Sequence, residues 1–206
     1  MSSSRVRVEM TASPAYLTRG LEAFAQQFLA QVNNAGPPSS EHAVHLCLAL
    51  GFQAAYQLKP GAIVFEWPQA TKRIDLWIPS LELAVEIKFR RPIPSRRALP
   101  STQLFGQLLA DFNKVARTGA RNRVVVFVSD PPGLASLRNR GLLPMHVGRT
   151  ADITLEQVQR LAPTAATNAL AAGKWTNLSA ELIWEREIAT WGMLTWRVGP
   201  PAKPAS

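Results

Sequence analysis

Hydrophobic residues recur at helical spacing in three stretches of the chain. The first follows Ser13-Pro14, a pair suited to the N-cap and the first helical position, and continues to Val32. A Gly- and Pro-containing break at 33–38 separates it from a second stretch at about 39–51. The third stretch, at about 102–117, has a continuous apolar stripe opposite a polar side. The pattern therefore predicts three substantial helices.

Runs of residues typical of strands lie between the second and third predicted helices. They occupy residues 62–67, 73–78 and 83–89. The middle run alternates, so Ile74, Leu76 and Ile78 are expected to share one face of the strand. Asp75 and Trp77 are expected to point the other way. Three consecutive strands are thus predicted between the two helices.

The second half of the chain has one strong pattern and several weaker ones. Residues 124–128 form a continuous β-branched and aromatic run, which is typical of a strand covered on both faces. Weaker patterns predict a short helix at 133–140, a strand at 142–147 and a helix at 154–161. The tail contains four tryptophans, but its pattern assigns no elements. The order of elements predicts an α/β or α+β domain with a mixed sheet flanked by helices.

A chain of 206 residues has room for one domain of ordinary size. We expect a helical extension at 1–38 and a core at 39–150. The segment 151–206 is expected to pack on that core, so that the whole chain forms one domain.

The hairpin formed by the second and third strands carries the candidate chemistry. A turn at 79–82 pairs positions whose numbers sum to 161, which places Asp75 opposite Glu86. Opposed side chains have Cβ atoms about 4.5–5.5 Å apart, so the two carboxylates would repel. A hard divalent cation such as Mg²⁺ or Mn²⁺ relieves that repulsion. Lys88 shares a face with Glu86, where it could orient a water or neutralise charge on a phosphoryl group.

An ordinary charge ladder is the alternative interpretation of this hairpin. Asp75 could pair diagonally with Lys88, and Arg73 with Glu86, on a solvated face. An Asp and a Glu-x-Lys eleven residues apart are weak evidence by themselves.

The net charge of +9 and the isoelectric point of about 10.6 favour a polyanionic partner. Basic residues flank the hairpin motif closely, and they are candidates for contacts with nucleic-acid phosphates: Lys72, Arg73, Arg90, Arg91, Arg96 and Arg97. The alternative is a basic surface that serves solubility, with a solvated loop around Arg96. DNA is the expected partner in preference to RNA.

Other classes of site and location are disfavoured. A single cysteine, Cys47, can form neither a disulfide framework nor a thiolate zinc site. His42 and His45 lack a third ligand in the pattern, and no Gly-rich phosphate loop or nucleophile elbow is present. With no signal-like or membrane-length apolar run, a cytoplasmic protein without membrane contact is expected.

Residues of about 40–130 resemble the PD-(D/E)xK nuclease superfamily, which has the restriction-endonuclease-like fold. The motif Asp falls on Asp75 and the Glu-x-Lys on Glu86-Ile87-Lys88, whereas the position before the Asp, often Pro in the family, is Ile74. The resemblance implies a core in the order αβββαβ, with a central mixed sheet of four or five strands. It also implies that the backbone carbonyl of Ile87 is a metal ligand.

The resemblance adds candidates on the two flanking helices. Many members contribute a Glu from the first core helix, and Glu41 fits that place. A Glu in a first turn is also favoured by the helix dipole without any function. Many members place a Gln on the helix after the motif, where Gln103 and Gln107 both fit, although either could be simply solvated.

The sequence therefore predicts a Mg²⁺- or Mn²⁺-dependent endonuclease that hydrolyses DNA. Two alternatives stay open, namely an inactive nucleic-acid-binding or assembly module and a ribonuclease. The chain carries no ATPase motif, so any motor would come from a partner in a larger complex. A homodimer is a further expectation.

Overall fold

The computed structural model describes residues 14–69, 72–90, 101–161, 175 and 177–201. Five helices lie in these ranges: α1 (Pro14–Ala35), α2 (Glu41–Tyr56), α3 (Ser101–Ala116), α4 (Pro131–Arg138) and α5 (Leu155–Leu161). Seven strands lie there as well: β1 (Val64–Gln69), β2 (Lys72–Ile78), β3 (Leu83–Phe89), β4 (Asn122–Ser129), β5 (Thr150–Ile153), β6 (Leu178–Ile188) and β7 (Trp191–Val198). A short 3₁₀ turn, Pro79–Leu81, joins β2 to β3.

The seven strands form one mixed sheet in the order β1-β2-β3-β4-β7-β6-β5. β3 and β4 are parallel and are connected through α3, while the other neighbouring strands are antiparallel. The predicted mixed sheet with flanking helices is confirmed. The predicted count of four or five strands is wrong, because β6 and β7 from the Trp-rich tail extend the sheet beyond β4.

The predicted strand at 142–147 is also wrong. This stretch is irregular, and the nearest strand is β5, at the edge of the sheet. Leu142 and Leu143 are buried, and the carbonyl of Pro144 accepts a hydrogen bond from the indole of Trp196 at 2.8 Å. The apolar residues therefore anchor a connecting loop to the core.

Hydrophobic cores lie on both faces of the sheet. On one face α1 and α2 pack through residues that include Phe24 and Phe52. On the other face α3, α4 and α5 pack around Phe112 and Trp196. β4 lies between the two cores, and Val126 and Phe127 belong to opposite ones, as the doubly covered strand pattern predicts. Within the described ranges, no helix combines the length and hydrophobicity needed to cross a membrane.

The alternation of β2 is interrupted at Asp75. Leu76 and Ile78 belong to the α1–α2 core, but Ile74 belongs to the α3 core. The prediction that these three residues share a face is therefore wrong. The interruption coincides with Glu66 on β1, which adopts a left-handed φ of 51° between two regular pairs of the β1–β2 ladder. Asp75 thus lies at the point in β2 where the alternation of side chains between the two faces of the sheet is interrupted.

Gly51 allows α1 and α2 to cross closely. A Cβ atom at this position would lie 2.4 Å from the backbone nitrogen of Phe24 and 2.6 Å from its Cα atom. Backbone atoms of a packed helix can move only if the two helices separate.

We expect Gly51→Ala to destabilise the protein by a net amount on the order of 1–2 kcal/mol. Overpacking costs about 1–3 kcal/mol and is expected at the upper end of that range here, because the obstructing atoms belong to the backbone, and a gain in helix propensity of about 1 kcal/mol offsets part of it. Urea unfolding gives the measurement. Gly119→Ala is the matched control, because nothing lies within 4 Å of the added carbon. Equal stability of the two variants would contradict a close helix crossing.

Candidate active site

β2 and β3 separate at Asp75. The ladder pairs Ile78 with Leu83 and Trp77 with Ala84, as the hairpin register predicts, and its last pair joins Leu76 to Val85. The expected backbone pairing of Asp75 with Glu86 does not continue the ladder. Side chains bridge the strands there instead, since the Asp75 N–H donates to Glu86 Oε1 at 3.3 Å.

Carboxylates satisfy the edge of β3 that β2 leaves open. The N–H of Ile87 donates to Asp75 Oδ2 at 2.7 Å, and the N–H of Phe89 donates to Glu41 Oε2 at 3.1 Å. Glu41 is the first residue of α2, whose N-cap Ser40 accepts from the Ala43 N–H. Buried backbone donors need partners, so these bonds fix both carboxylates beside the strand. The predicted candidates Glu41, Asp75 and Glu86 are thereby brought together.

α3 contributes two charged residues to the same place. Lys88 Nζ lies 3.3 Å from Asp111 Oδ2 and 3.9 Å from Glu41 Oε2. Lys114 Nζ lies 2.6 Å from Glu86 Oε2, and the Glu86 side chain is only 1% exposed. Lys88 and Glu86 therefore pair with helix residues across the sheet face. The alternative charge ladder, with Arg73 paired to Glu86 and Lys88 to Asp75, is not the arrangement found.

The cluster contains more acidic than basic groups. Four carboxylates, those of Glu41, Asp75, Glu86 and Asp111, lie near the ammonium groups of Lys88 and Lys114. Two negative charges remain in excess when all six groups are ionised. Such an excess is unfavourable in a poorly solvated place unless a cation compensates it.

Burial shifts the pKa values of three carboxyl groups in the cluster. Burial raises the pKa of Glu86 to about 9, and the nearby Asp75 and Asp111 carboxylates add to the effect. Burial also raises the pKa of Asp111 to about 6 and that of Asp75 above its ordinary value. Burial lowers the pKa of Lys88, but Asp111 and Glu41 outweigh it, so that the net pKa is raised. Burial is thus the largest cause of all three carboxyl shifts, and each of these groups binds its proton more tightly than it would in water.

His45 lies against the cluster from the α2 side. Its side chain is buried, and Nε2 is 3.8 Å from Asp75 Oδ2, too far for a hydrogen bond. Burial lowers the pKa of this imidazole, which favours its neutral form. It follows Glu41 by four residues, so both side chains lie on one face of α2.

The two glutamine candidates, Gln103 and Gln107, both lie on α3. Gln107 is exposed, one helical turn before Asp111 on the same face. Gln103 lies in the first turn of α3, and its side chain falls outside the described residues.

Three of the six candidate phosphate contacts, Lys72, Arg73 and Arg90, lie in the described ranges. Lys72 and Arg73 are exposed at the start of β2, two to three residues from Asp75. Arg90 is half-buried, and its Nη1 lies 3.6 Å from Asp130 Oδ1. The Asp130 carboxylate already offsets part of the charge of the Arg90 guanidinium. Arg90 is therefore a weaker candidate for a phosphate contact than Lys72 and Arg73. Arg91, Arg96 and Arg97 lie outside the described residues.

The donor types in the cluster suit a hard divalent cation, and so does its charge excess. In the described part of the chain, however, no group of three His, Cys, Asp or Glu side chains is arranged to hold a metal ion. Lys114 Nζ already lies 2.6 Å from Glu86 Oε2. Cation binding at Glu86 would therefore require the Lys114 ammonium to move away.

Asp111 and Lys114 were not identified as site residues from the sequence. Both lie on the polar side of the α3 pattern, which predicted solvent exposure. Their spacing from Gln107 is the signal that could have identified them. Asp111 and Lys114 follow Gln107 by four and seven residues, so all three share one face of α3. The spacing of His45 from Glu41 offered a similar signal on α2.

Comparisons with known proteins leave this geometry as the evidence on function. No protein-family model, curated protein or solved structure matches the chain.

The raised pKa of Glu86 predicts how stability depends on pH in the metal-free protein. Glu86 binds its proton more tightly folded than unfolded, so stability should fall as pH rises from about 4.5 to about 9. Glu86→Gln should flatten this slope, because glutamine does not ionise. Urea unfolding in a chelating buffer across this range measures it. The exposed Glu187→Gln serves as the control, and an unchanged slope in Glu86→Gln would contradict the assignment.

Proposed function

We propose that this protein is a Mg²⁺-dependent nuclease that hydrolyses phosphodiester bonds of DNA. One observation carries the proposal: Glu41, Asp75, Glu86 and Lys88 converge where β2 and β3 separate. Three different elements deliver these groups to one place, which a solvated charge ladder on a hairpin would not require.

The order α2, β1, β2, β3, α3, β4 supports membership of the PD-(D/E)xK superfamily. On this proposal, β5, β6 and β7 are additions that widen the core sheet. The motif Asp then lies on β2 and the Glu-x-Lys on β3, next to the point where the two strands separate.

Glu41, Asp75 and Glu86 are the groups that would hold the metal, together with the carbonyl of Ile87. A bound Mg²⁺ or Mn²⁺ would supply Lewis acidity and an activated water. Lys88 would donate hydrogen bonds to the attacking water or to a phosphoryl oxygen, where its charge stabilises the transition state. The Ile87 and Phe89 N–H groups keep two of the carboxylates in place.

Nucleic acid is the proposed substrate because the chain carries a net charge of +9 although the site itself is acidic. The positive charge must therefore be concentrated outside the cluster. Lys72 and Arg73 are exposed on the strand that carries Asp75, so they lie where a phosphate backbone would approach. DNA is proposed in preference to RNA.

A nucleic-acid-binding module without turnover is the second candidate. The close contact of Lys114 with Glu86 favours it, because an internal ammonium can replace the metal's charge. Titration with Mn²⁺ followed by electron paramagnetic resonance distinguishes the two functions. A nuclease takes up the ion at the cluster, whereas the module leaves Lys114 in place.

Asp75→Asn and Glu86→Gln should each lower Mg²⁺-dependent cleavage of DNA by at least about a hundredfold. Each change removes a metal-binding charge while conserving shape, and the lost rate reports lost transition-state stabilisation. Cleavage of a labelled duplex, with RNA in parallel, is the measurement.

Asp152→Asn and Glu187→Gln are the matched controls, since both residues are exposed and lie outside the cluster. They should retain full activity. Wild-type activity in Asp75→Asn or Glu86→Gln, with the fold preserved, would overturn the proposed site.

Binding of DNA should weaken when Lys72 and Arg73 are both replaced by Ala. If each contacts one phosphate, the slope of log affinity against log salt should fall by about 1.8, since each contact contributes about 0.9. Different sequences should lose affinity about equally, because phosphate contacts carry no base information. Fluorescence anisotropy in Ca²⁺ at several salt concentrations measures both effects.

The control removes two exposed charges elsewhere, with Lys59→Ala and Arg160→Ala combined. It should leave the slope nearly unchanged. An equal loss in both double variants would show that the general charge of the protein, and not the surface beside Asp75, attracts DNA.

A further inference from the structure

Asp111 is an acidic residue that faces the sheet from α3. Its side chain is 14% exposed, although it lies on a helix side where polar residues could reach solvent. Burial makes an ionised carboxylate unfavourable, and burial is the main reason why the pKa of Asp111 is raised. Because burial disfavours the ionised carboxylate, the contacts of Asp111 should explain why an acidic residue lies here.

The group that Asp111 touches is Lys88. The two side chains approach to 3.3 Å, with 17% of the Lys88 side chain exposed. Glu41, the other acidic neighbour of Lys88, is farther from the ammonium at 3.9 Å. Asp111 is therefore the nearer of the two carboxylates that determine where the end of this side chain lies.

Stability alone is a poor explanation of the pair. A buried ion pair often contributes no more than a well-packed apolar pair of similar volume, because both charges lose hydration. A lysine, in contrast, is a point charge on a flexible chain, and it needs a partner if its position is to be fixed. Fixing a reactive group before the substrate arrives is worth far more to a reaction rate than to folding.

We propose that Asp111 is a positioning residue that holds the Lys88 ammonium over the carboxylate cluster in the orientation that phosphodiester hydrolysis uses. This inference rests on the proposed nuclease function and deepens it. Asp111 acts through Lys88 and touches neither the substrate nor the metal. Its position on α3 means that the helix after the motif sets the geometry of the motif lysine.

The central test uses Asp111→Asn, which conserves shape and removes the charge, and Asp111→Glu, which keeps the charge. Turnover of DNA in Mg²⁺ should fall about ten- to a hundredfold in Asp111→Asn, with KM within about twofold of wild type. Asp111→Glu should recover part of the loss. DNA affinity in Ca²⁺ should not change, and Asp152→Asn should behave as wild type.

A second readout does not depend on activity. Lys88 in the full-length metal-free protein is labelled with acetic anhydride and quantified by peptide mass spectrometry, with exposed Lys59 as internal reference. Labelling of Lys88 relative to Lys59 should rise severalfold in Asp111→Asn, because the ammonium loses its nearer partner. It should remain near the wild-type ratio in Asp111→Glu.

The two readouts separate failure of this inference from failure of the proposed function. If wild type does not cleave DNA or RNA but the labelling ratio still rises, the nuclease proposal fails and the control of Lys88 by Asp111 stands. If wild type cleaves and Asp111→Asn matches it in turnover and labelling, the inference is overturned. Loss of DNA binding together with turnover in both Asp111 variants would also overturn it, since that result indicates a structural role.

Discussion

Two backbone N–H groups of β3 determine how this site is built. Those of Ile87 and Phe89 point to the side of the strand that β2 has left, and neither can remain unpaired in a buried place. The carboxylates of Asp75 and Glu41 accept them. If β2 continued beside β3, its backbone carbonyls would accept these N–H groups and no side chain would be needed. If the sheet ended here, the edge of β3 would be exposed to water. The carboxylates therefore take the place of a strand, and they gather acidic groups along this edge of β3.

The position of β3 in the sheet explains why helices from both faces reach the same point. β3 is third in a sheet of seven strands, with α2 packed on one face and α3 on the other. Where β2 separates, the gap in the sheet is open to both layers. Glu41 and His45 approach it from α2, while Asp111 and Lys114 approach it from α3. A site at a gap between strands can thus combine side chains that an intact sheet would keep apart.

The local parts of this arrangement could be predicted from the sequence, and the non-local parts could not. A short hairpin fixes its own register, so the turn at 79–82 was sufficient to place Asp75 near Glu86. Resemblance to a nuclease superfamily supplied Glu41, which no local pattern connects to β3. Asp111 and Lys114 were missed because a polar helix side predicts exposure unless something covers it, and here the covering element is the sheet itself.

The tail shows the same limit at the level of the fold. The run at 124–128 indicated a strand covered on both faces, but it did not say which strand would lie beside it. One of its two neighbours is β7, which is buried along most of its length although Gly192 and Thr195 weaken its pattern. The pairing of β7 with β4 joins residues some seventy positions apart, and nothing within a window of either strand encodes it. Such long-range pairing depends on the packing of the whole chain, so a local pattern cannot predict it.

The electrostatics of the cluster work against the stability of the fold that carries it. Glu86 is among the most buried charged residues described, and burial raises its pKa despite the close contact with Lys114. A chain selected for stability alone would place an apolar residue there, as β4 does with Val125 directly opposite. The continuous cores on both faces can offset such a local cost. The proposed cation would offset the acidic excess of the cluster, and the proposed polyanionic substrate would meet the exposed basic residues Lys72 and Arg73 beside it.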